Sequence, residues 1–161
     1  MKIGKAIVAG LAGGLAMTVL AWVARQTGLT LNAEMMLGTM TGNAPGMTTW
    51  MIGFVMHLML SALIALLYAV GFERVTHRAG VGVGLAFAVV HIIIGGIVMG
   101  MIPGVHPMIP EQMPAPGPFL INMGGAFVAF FVAEHLMFGA IVGALYGPVS
   151  SRNAQAASSI A

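Results

Sequence analysis

Four long apolar stretches dominate this sequence of 161 residues. An α-helix rises about 1.5 Å per residue, so roughly 20 apolar residues cross a hydrocarbon core of about 30 Å. Only 6% of the residues are charged, whereas roughly a quarter are charged in a soluble domain. The stretches also lack the alternating pattern of membrane β-strands. We therefore predict an all-α, four-helix transmembrane bundle in a single domain over residues 1–150, with spans at about 3–24, 49–71, 80–102 and 119–147.

The positive charges predict the orientation of these spans. Cytoplasmic loops of membrane proteins carry an excess of Lys and Arg. All but one of the cations would lie on the same side of the bilayer, and Arg25 is the exception; the others are Lys2, Lys5, Arg74, Arg78 and Arg152. We therefore expect a multi-pass membrane protein with both termini in the cytoplasm and a disordered tail at 151–161. The net charge of +2 is too small and dispersed to indicate nucleic-acid binding.

The second and fourth spans share a repeated pattern. His57-Leu-Met and His135-Leu-Met are each followed, eleven residues after the histidine, by Tyr68 and Tyr146. Both predicted outer loops also contain an Ala-Pro-Gly segment. This similarity predicts a bundle built from two helix–loop–helix repeats that insert in the same direction, a parallel repeat.

Glycine spacing predicts which helix faces pack together. Small residues four apart let helix backbones approach closely in lipid. The third and fourth spans carry such glycines, and their stripes would bring His91 and His135 towards protein rather than lipid; the glycines are Gly80, Gly84, Gly95, Gly139, Gly143 and Gly147.

Three histidines inside the spans are the main functional candidates. His57, His91 and His135 each lie eleven residues from the cytoplasmic end of a span, or about 16 Å along a helix, so we expect them at one depth. Imidazoles there could bind a transition metal such as Cu or Zn, hold haem b between helices, relay protons with Glu134, or pack without binding a ligand. Glu134 points about 100° away from His135 on a helix, which favours its pairing with another helix.

The outer loop between the third and fourth spans offers a second set of candidate ligands. It contains His106, Met108 and Glu111 together with several prolines. Thioether sulfur is a soft ligand that favours Cu(I). Methionine is also a flexible apolar filler, so the pattern equally suits a loop that packs on the membrane surface.

The residue types disfavour an enzyme. The chain has no Cys and no Asp, and it contains no nucleophile–base set or phosphate-binding loop. Three classes of function stay open: a protein whose histidine layer binds a metal or haem, a structural subunit of a homo-oligomer or larger membrane complex, and a small proton-coupled transporter.

Several segments resemble an uncharacterised family of small four-span bacterial membrane proteins. The similarity lies in Gly10-x-x-Gly13, N-A-E-M-M-L-G at 32–38, L-L-Y-A at 66–69 and H-L-M-F-G-A-I-V-G-A-L-Y-G at 135–147. The family pattern places a histidine near the start of the second span, whereas His57 lies deeper. The resemblance implies a four-span topology, a bacterial origin and a location in the inner (plasma) membrane. The family has no established activity, so the resemblance implies none for this chain.

Overall fold

The protein is a bundle of helices. A computed structural model describes residues 1–149 and contains five α-helices, with no β-strand in that range. Four of the helices are long and apolar enough to cross a membrane, which confirms the predicted all-α bundle. The helices are α1 (Ile3–Gln26), α2 (Ala33–Thr39), α3 (Met47–Gly71), α4 (Val81–Met101) and α5 (Gly125–Tyr146). The tail predicted at 151–161 lies outside the described residues.

The two ends of the bundle are formed by different segments of the chain. We call the end that holds Met1, the turn between α3 and α4, and Tyr146 the termini face. A π-helical turn, Phe72–Thr76, extends α3 there. The opposite end, the loop face, carries α2 and the segment between α4 and α5, which includes 3₁₀ turns at Ile102–Gly104 and Pro118–Met123.

Helix α1 lies at the centre of the packing and contacts both α3 and α5, while α4 packs on α5. Gly10 of α1 lies against the backbone of Ser61 and the side chain of Ala65. Helices α1 and α3 thus meet through small residues, as expected where backbones approach closely in lipid. The arrangement of the bundle as two parallel helix–loop–helix repeats stays a prediction.

The predicted glycine stripes lie largely at the α4–α5 interface. A Cβ on Gly84 would overlap the Gly139 carbonyl, and one on Gly143 would overlap the carbonyl of Gly80. Gly95 faces Phe131 and His135 at ordinary van der Waals distance. Gly147 instead ends α5 with a left-handed φ of 71°, a conformation in which glycine lacks the Cβ penalty.

Helices α3 and α4 make no extended interface with each other. They touch towards the termini face, where the Tyr68 ring lies 5.7 Å from the Phe87 ring and its hydroxyl lies 3.4 Å from His91 Nδ1. Further towards the loop face the two helices are not packed together, and this gap shapes the cavity described below.

A closely packed aromatic layer fills the bundle near the termini face. Tyr68, Phe72, Phe138 and Tyr146 are all buried there. Their rings meet mostly edge to face, with centroids 5.4–6.1 Å apart, the arrangement that aromatic quadrupoles favour. Alanines pack around them and bring the helices close; these are Ala6, Ala9, Ala65 and Ala69.

A polar clasp joins three chain segments at the termini face. The Tyr146 hydroxyl donates a 2.6 Å hydrogen bond to Glu73 and accepts one of 3.0 Å from the backbone amide of Lys2. The N-terminal amine lies 3.8 Å from the Glu73 carboxylate. The clasp therefore holds together the start of α1, the turn after α3 and the end of α5.

Two parts of the chain differ from the sequence-based prediction. The segment before the second span, predicted to be an outer loop, contains the short helix α2, whose first turn Asn32 caps by accepting a 2.9 Å hydrogen bond from the Met35 amide. The fourth spanning helix begins at Gly125, not near residue 119, because Phe119 and Leu120 have left-handed φ angles of 53° and 63°. The Phe119 ring packs directly over Gly96, which has no side chain to exclude it.

Candidate functional site: a polar cavity between α3 and α4

A cavity of about 230 Å³ lies in the gap between α3 and α4, and we call it the α3/α4 cavity. It reaches from the side of the bundle inward to α1 and α5. Most of its wall is apolar, but ionisable side chains from α2, α3, α4 and α5 also line it; these are Glu34, His57, His91, Glu134 and His135. All three histidines singled out from the sequence therefore border one cavity.

Short α2 carries the most deeply buried charge of this cavity. Glu34 is 1% exposed. One carboxylate oxygen lies 3.7 Å from His57 Nδ1, and the other lies 3.7 Å from an Arg25 guanidinium nitrogen. His57 Nδ1 is also 3.3 Å from the Thr18 hydroxyl. We call Thr18, Arg25, Glu34 and His57 the acidic cluster.

The acidic cluster leaves polar atoms without hydrogen bonds. At 3.7 Å, the Arg25–Glu34 contact is an ion pair but lies beyond hydrogen-bond distance. The second oxygen of Glu34 and one guanidinium nitrogen of Arg25 are buried without a hydrogen-bond partner. Each such atom costs roughly 1–3 kcal/mol, and more when it is charged.

The surroundings of Glu34 favour its charged form. Burial by itself raises the pKa of this carboxyl, but polar contacts with His57 and Thr18 outweigh burial, so the pKa lies below its ordinary value. Glu34 is therefore a carboxylate at neutral pH. Its negative charge is balanced locally by the positive charge of Arg25.

A pair of histidines forms a second polar region of the cavity. The rings of His91 and His135 lie edge to face with centroids 4.6 Å apart. His135 Nδ1 lies 2.7 Å from the Phe131 carbonyl oxygen. Because that oxygen can only accept, Nδ1 carries the proton in this contact, and a neutral His135 keeps the lone pair on Nε2. We call His91 and His135 the histidine pair.

Glu134 lines the same cavity but belongs to neither polar group. Within residues 1–149 it makes no hydrogen bond and no ion pair. The pairing with another helix predicted from the sequence therefore has no direct contact to support it.

The geometry does not favour the metal or haem interpretations. Among the described residues, no group of three His, Asp or Glu side chains is arranged to hold a metal ion. Haem bound by two histidines needs one imidazole on each face of its iron. His91 and His135 contact each other directly, so in this arrangement a porphyrin does not fit between them.

The candidate ligands of the outer loop occupy different environments. His106 is buried, and its Nδ1 accepts a 3.1 Å hydrogen bond from the Met108 amide while its Nε2 lies 3.0 Å from the Met36 carbonyl oxygen. Both ring nitrogens are thus already engaged; the Nε2 contact joins the loop to α2, and the Nδ1 contact lies within the loop. Met108 is buried beneath the loop, whereas Glu111 is exposed.

Arg25 and Glu34 are not among the site residues predicted from the sequence. Both lie outside the predicted spans, but α2 folds back against α3 and brings Glu34 to His57. One signal was available: Arg25 is the only cation on its side of the predicted topology. A cation that lies against the positive-inside bias is a reason to look for a carboxylate partner on the same side.

Comparison with protein-family models, with curated proteins and with solved structures found no match for this chain.

Proposed function

We propose that this protein binds a small, membrane-dissolved molecule in the α3/α4 cavity. The proposal depends chiefly on Glu34, whose carboxylate is 1% exposed, borders the cavity and has one oxygen without a hydrogen-bond partner. A buried carboxylate is costly unless it is paired and hydrogen-bonded, and buried ionisable groups in a cleft are candidates for a functional site. A ligand in the cavity that donates a hydrogen bond to the Glu34 carboxylate would remove part of that cost.

The proposed ligand would reach the cavity from the lipid. Leu60 of α3 and Val98 of α4 both line the cavity, and they are 47% and 45% exposed on the side of the bundle. Towards the termini face, by contrast, the cavity adjoins the aromatic layer, where Phe138 is 1% exposed. This closure favours binding over the passage of protons or solutes across the bundle.

A simple probe tests this function. 4-Pentylphenol has one ring, one hydrogen-bond donor and an apolar tail, and we expect saturating amounts to raise the Tm of the purified protein in detergent by several degrees, because a ligand stabilises the state that binds it. Val98→Trp should abolish the rise by filling the opening of the cavity.

The matched control is Ile94→Trp on the same helix. Ile94 is 57% exposed and does not line the cavity, so this variant should keep the full shift. An equal shift in both tryptophan variants would place the phenol elsewhere and exclude the proposed site, as would the absence of any shift in the unmodified protein.

We also propose that the termini face lies in the cytoplasm of a bacterium and that the membrane is the inner one. The charge pattern described above and the family resemblance support this orientation. The chain has no Cys, so Asn43→Cys and Val75→Cys would each carry a single thiol at an exposed position. An impermeant maleimide added to intact spheroplasts should label position 43 and leave position 75 unlabelled until the membrane is opened. The reverse pattern would invert the topology.

A further inference from the structure

We infer that the α3/α4 cavity is a binding site for the head group of an isoprenoid quinone or quinol, a flat, uncharged ring with two oxygens and a long apolar tail. This inference rests on the proposed function and names its ligand class. It concerns binding alone, and four properties of the cavity support it.

The first property is the route of access. The lateral opening between Leu60 and Val98 faces the region that lipid chains occupy around the bundle. A ligand that arrives there must dissolve in hydrocarbon. Its tail can remain among the lipids while its head enters between α3 and α4, since these helices make no extended interface.

The second property is the size and character of the wall. An apolar protein cavity of about 150 Å³ accommodates benzene, so about 230 Å³ suits one substituted six-membered ring. Phe131 and Phe138 border the cavity and are 3% and 1% exposed. Aromatic side chains of this kind pack well against a flat ring.

The third property is the presence of two separate polar groups. The acidic cluster contributes Glu34 and His57, carried by α2 and α3, while the histidine pair lies on α4 and α5. No hydrogen bond joins the two groups within the described part of the chain. A ligand that satisfies both needs two polar atoms, and the two ring oxygens of a quinol or quinone provide them.

The fourth property is the balance of charge. Arg25 offsets the charge of Glu34, so the acidic cluster offers neither a free positive charge for a fatty-acid carboxylate nor a free negative charge for an alkylammonium group. The Glu34 carboxylate borders the cavity and can accept a hydrogen bond from a quinol hydroxyl, and His135 can accept one through Nε2. The acidic cluster and the histidine pair thus favour an uncharged head with hydroxyl or carbonyl oxygens. Glu134 also lines the cavity, so an amine head is the alternative that the test must exclude.

The test measures how much ligand the full chain retains in lipid nanodiscs. Decylubiquinone and its quinol are the probes, and decanoate and decylamine are charged competitors with tails of equal length. We expect about one quinone or quinol retained per protein above protein-free nanodiscs. His57→Leu and His135→Leu should each weaken retention about tenfold, the effect of roughly one lost hydrogen bond.

Controls separate this inference from the proposed function. Ile94→Trp should retain the probe and Val98→Trp should lose it, with helix content checked by circular dichroism. If 4-pentylphenol binds and neither decylubiquinone nor its quinol does, the quinone inference is wrong while the proposed function stands. If none of the three binds, both fail. Displacement by equimolar decanoate or decylamine would also overturn the quinone assignment, because it would show preference for a charged head.

Discussion

Gly53 of α3 lies so close to Glu34 of α2 that any side chain on Gly53 would overlap the Glu34 backbone carbonyl. This approach holds the short helix against the spanning helix. It is also what brings the Glu34 carboxylate to 3.7 Å from His57. The position of the buried charge therefore depends on a residue that has no side chain of its own.

Gly53→Ala should accordingly displace α2 and destabilise the protein. Overfilling a packed contact costs about 1–3 kcal/mol, so we expect a lower Tm and weaker binding of 4-pentylphenol. Gly82→Ala is the matched control, because Gly82 is helical and a Cβ added there would meet no atom within 4 Å. Thermal melts followed by circular dichroism would check both variants, and equal Tm values would contradict the proposed dependence on Gly53.

Loss of the Glu34 charge should alter how stability depends on pH. Because the pKa of Glu34 is lowered from 4.5 on folding, its contribution is fully present above pH 4.5 and is lost as the pH falls through the folded-state pKa. Arg25, His57 and Glu134 face the same region. The difference in Tm between wild type and Glu34→Gln should therefore be largest near neutral pH and shrink in acid.

At neutral pH, Glu34→Gln leaves Arg25 without its counter-charge, and breaking a buried pair costs about 3–5 kcal/mol. Glu111→Gln removes an exposed carboxylate and is the control. A Tm difference between Glu34→Gln and wild type that stays constant from pH 7 to pH 3 would show that ionisation of Glu34 does not contribute to the pH dependence of stability.

Tyr146→Phe should open the clasp at the termini face. The variant removes the donor of the 2.6 Å bond to Glu73 and leaves that buried oxygen with the more distant N-terminal amine at 3.8 Å. We expect a loss of about 1–3 kcal/mol, measured as a lower Tm. Tyr68→Phe loses only a 3.4 Å contact with His91 and should have the smaller effect. The opposite ranking would show that the clasp contributes little.

His106→Asn should loosen the outer loop from α2. His106 is 4% exposed and uses both ring nitrogens to contact Met36 and Met108, and the shorter asparagine cannot span both partners. Limited proteolysis should cleave between residues 102 and 118 several times faster. His77→Asn is a control at an exposed histidine with a left-handed φ of 51°, which asparagine tolerates. An unchanged cleavage rate in His106→Asn would show that other contacts hold the loop in place.

The spanning helices could be predicted from the sequence because hydrocarbon allows few alternatives. A run such as Val81–Met101 contains no charged side chain, and its backbone groups must bond to one another within the membrane. The contact between α4 and α5 was likewise predictable from glycines such as Gly84 and Gly139, because small residues at this spacing let two helix backbones approach closely in lipid.

The site was less predictable because it depends on contacts between distant segments. α2 is only seven residues long, and its helix is stabilised by packing on Gly53 more than by local preference. The gap between α3 and α4 depends on which helix faces fit each other, and periodicity cannot reveal that. The histidines could be identified as intramembrane groups, but their separation into His57 with Glu34 and His91 with His135 required the fold.

The aromatic layer near the termini face also bears on the electrical behaviour of the membrane. Tyr68, Phe72, Phe138 and Tyr146 fill the bundle between the cavity and the clasp, and a low-dielectric region of this kind opposes the movement of charge. The layer is therefore a barrier to any ion that would move from the cavity towards the termini face, whatever molecule occupies the site.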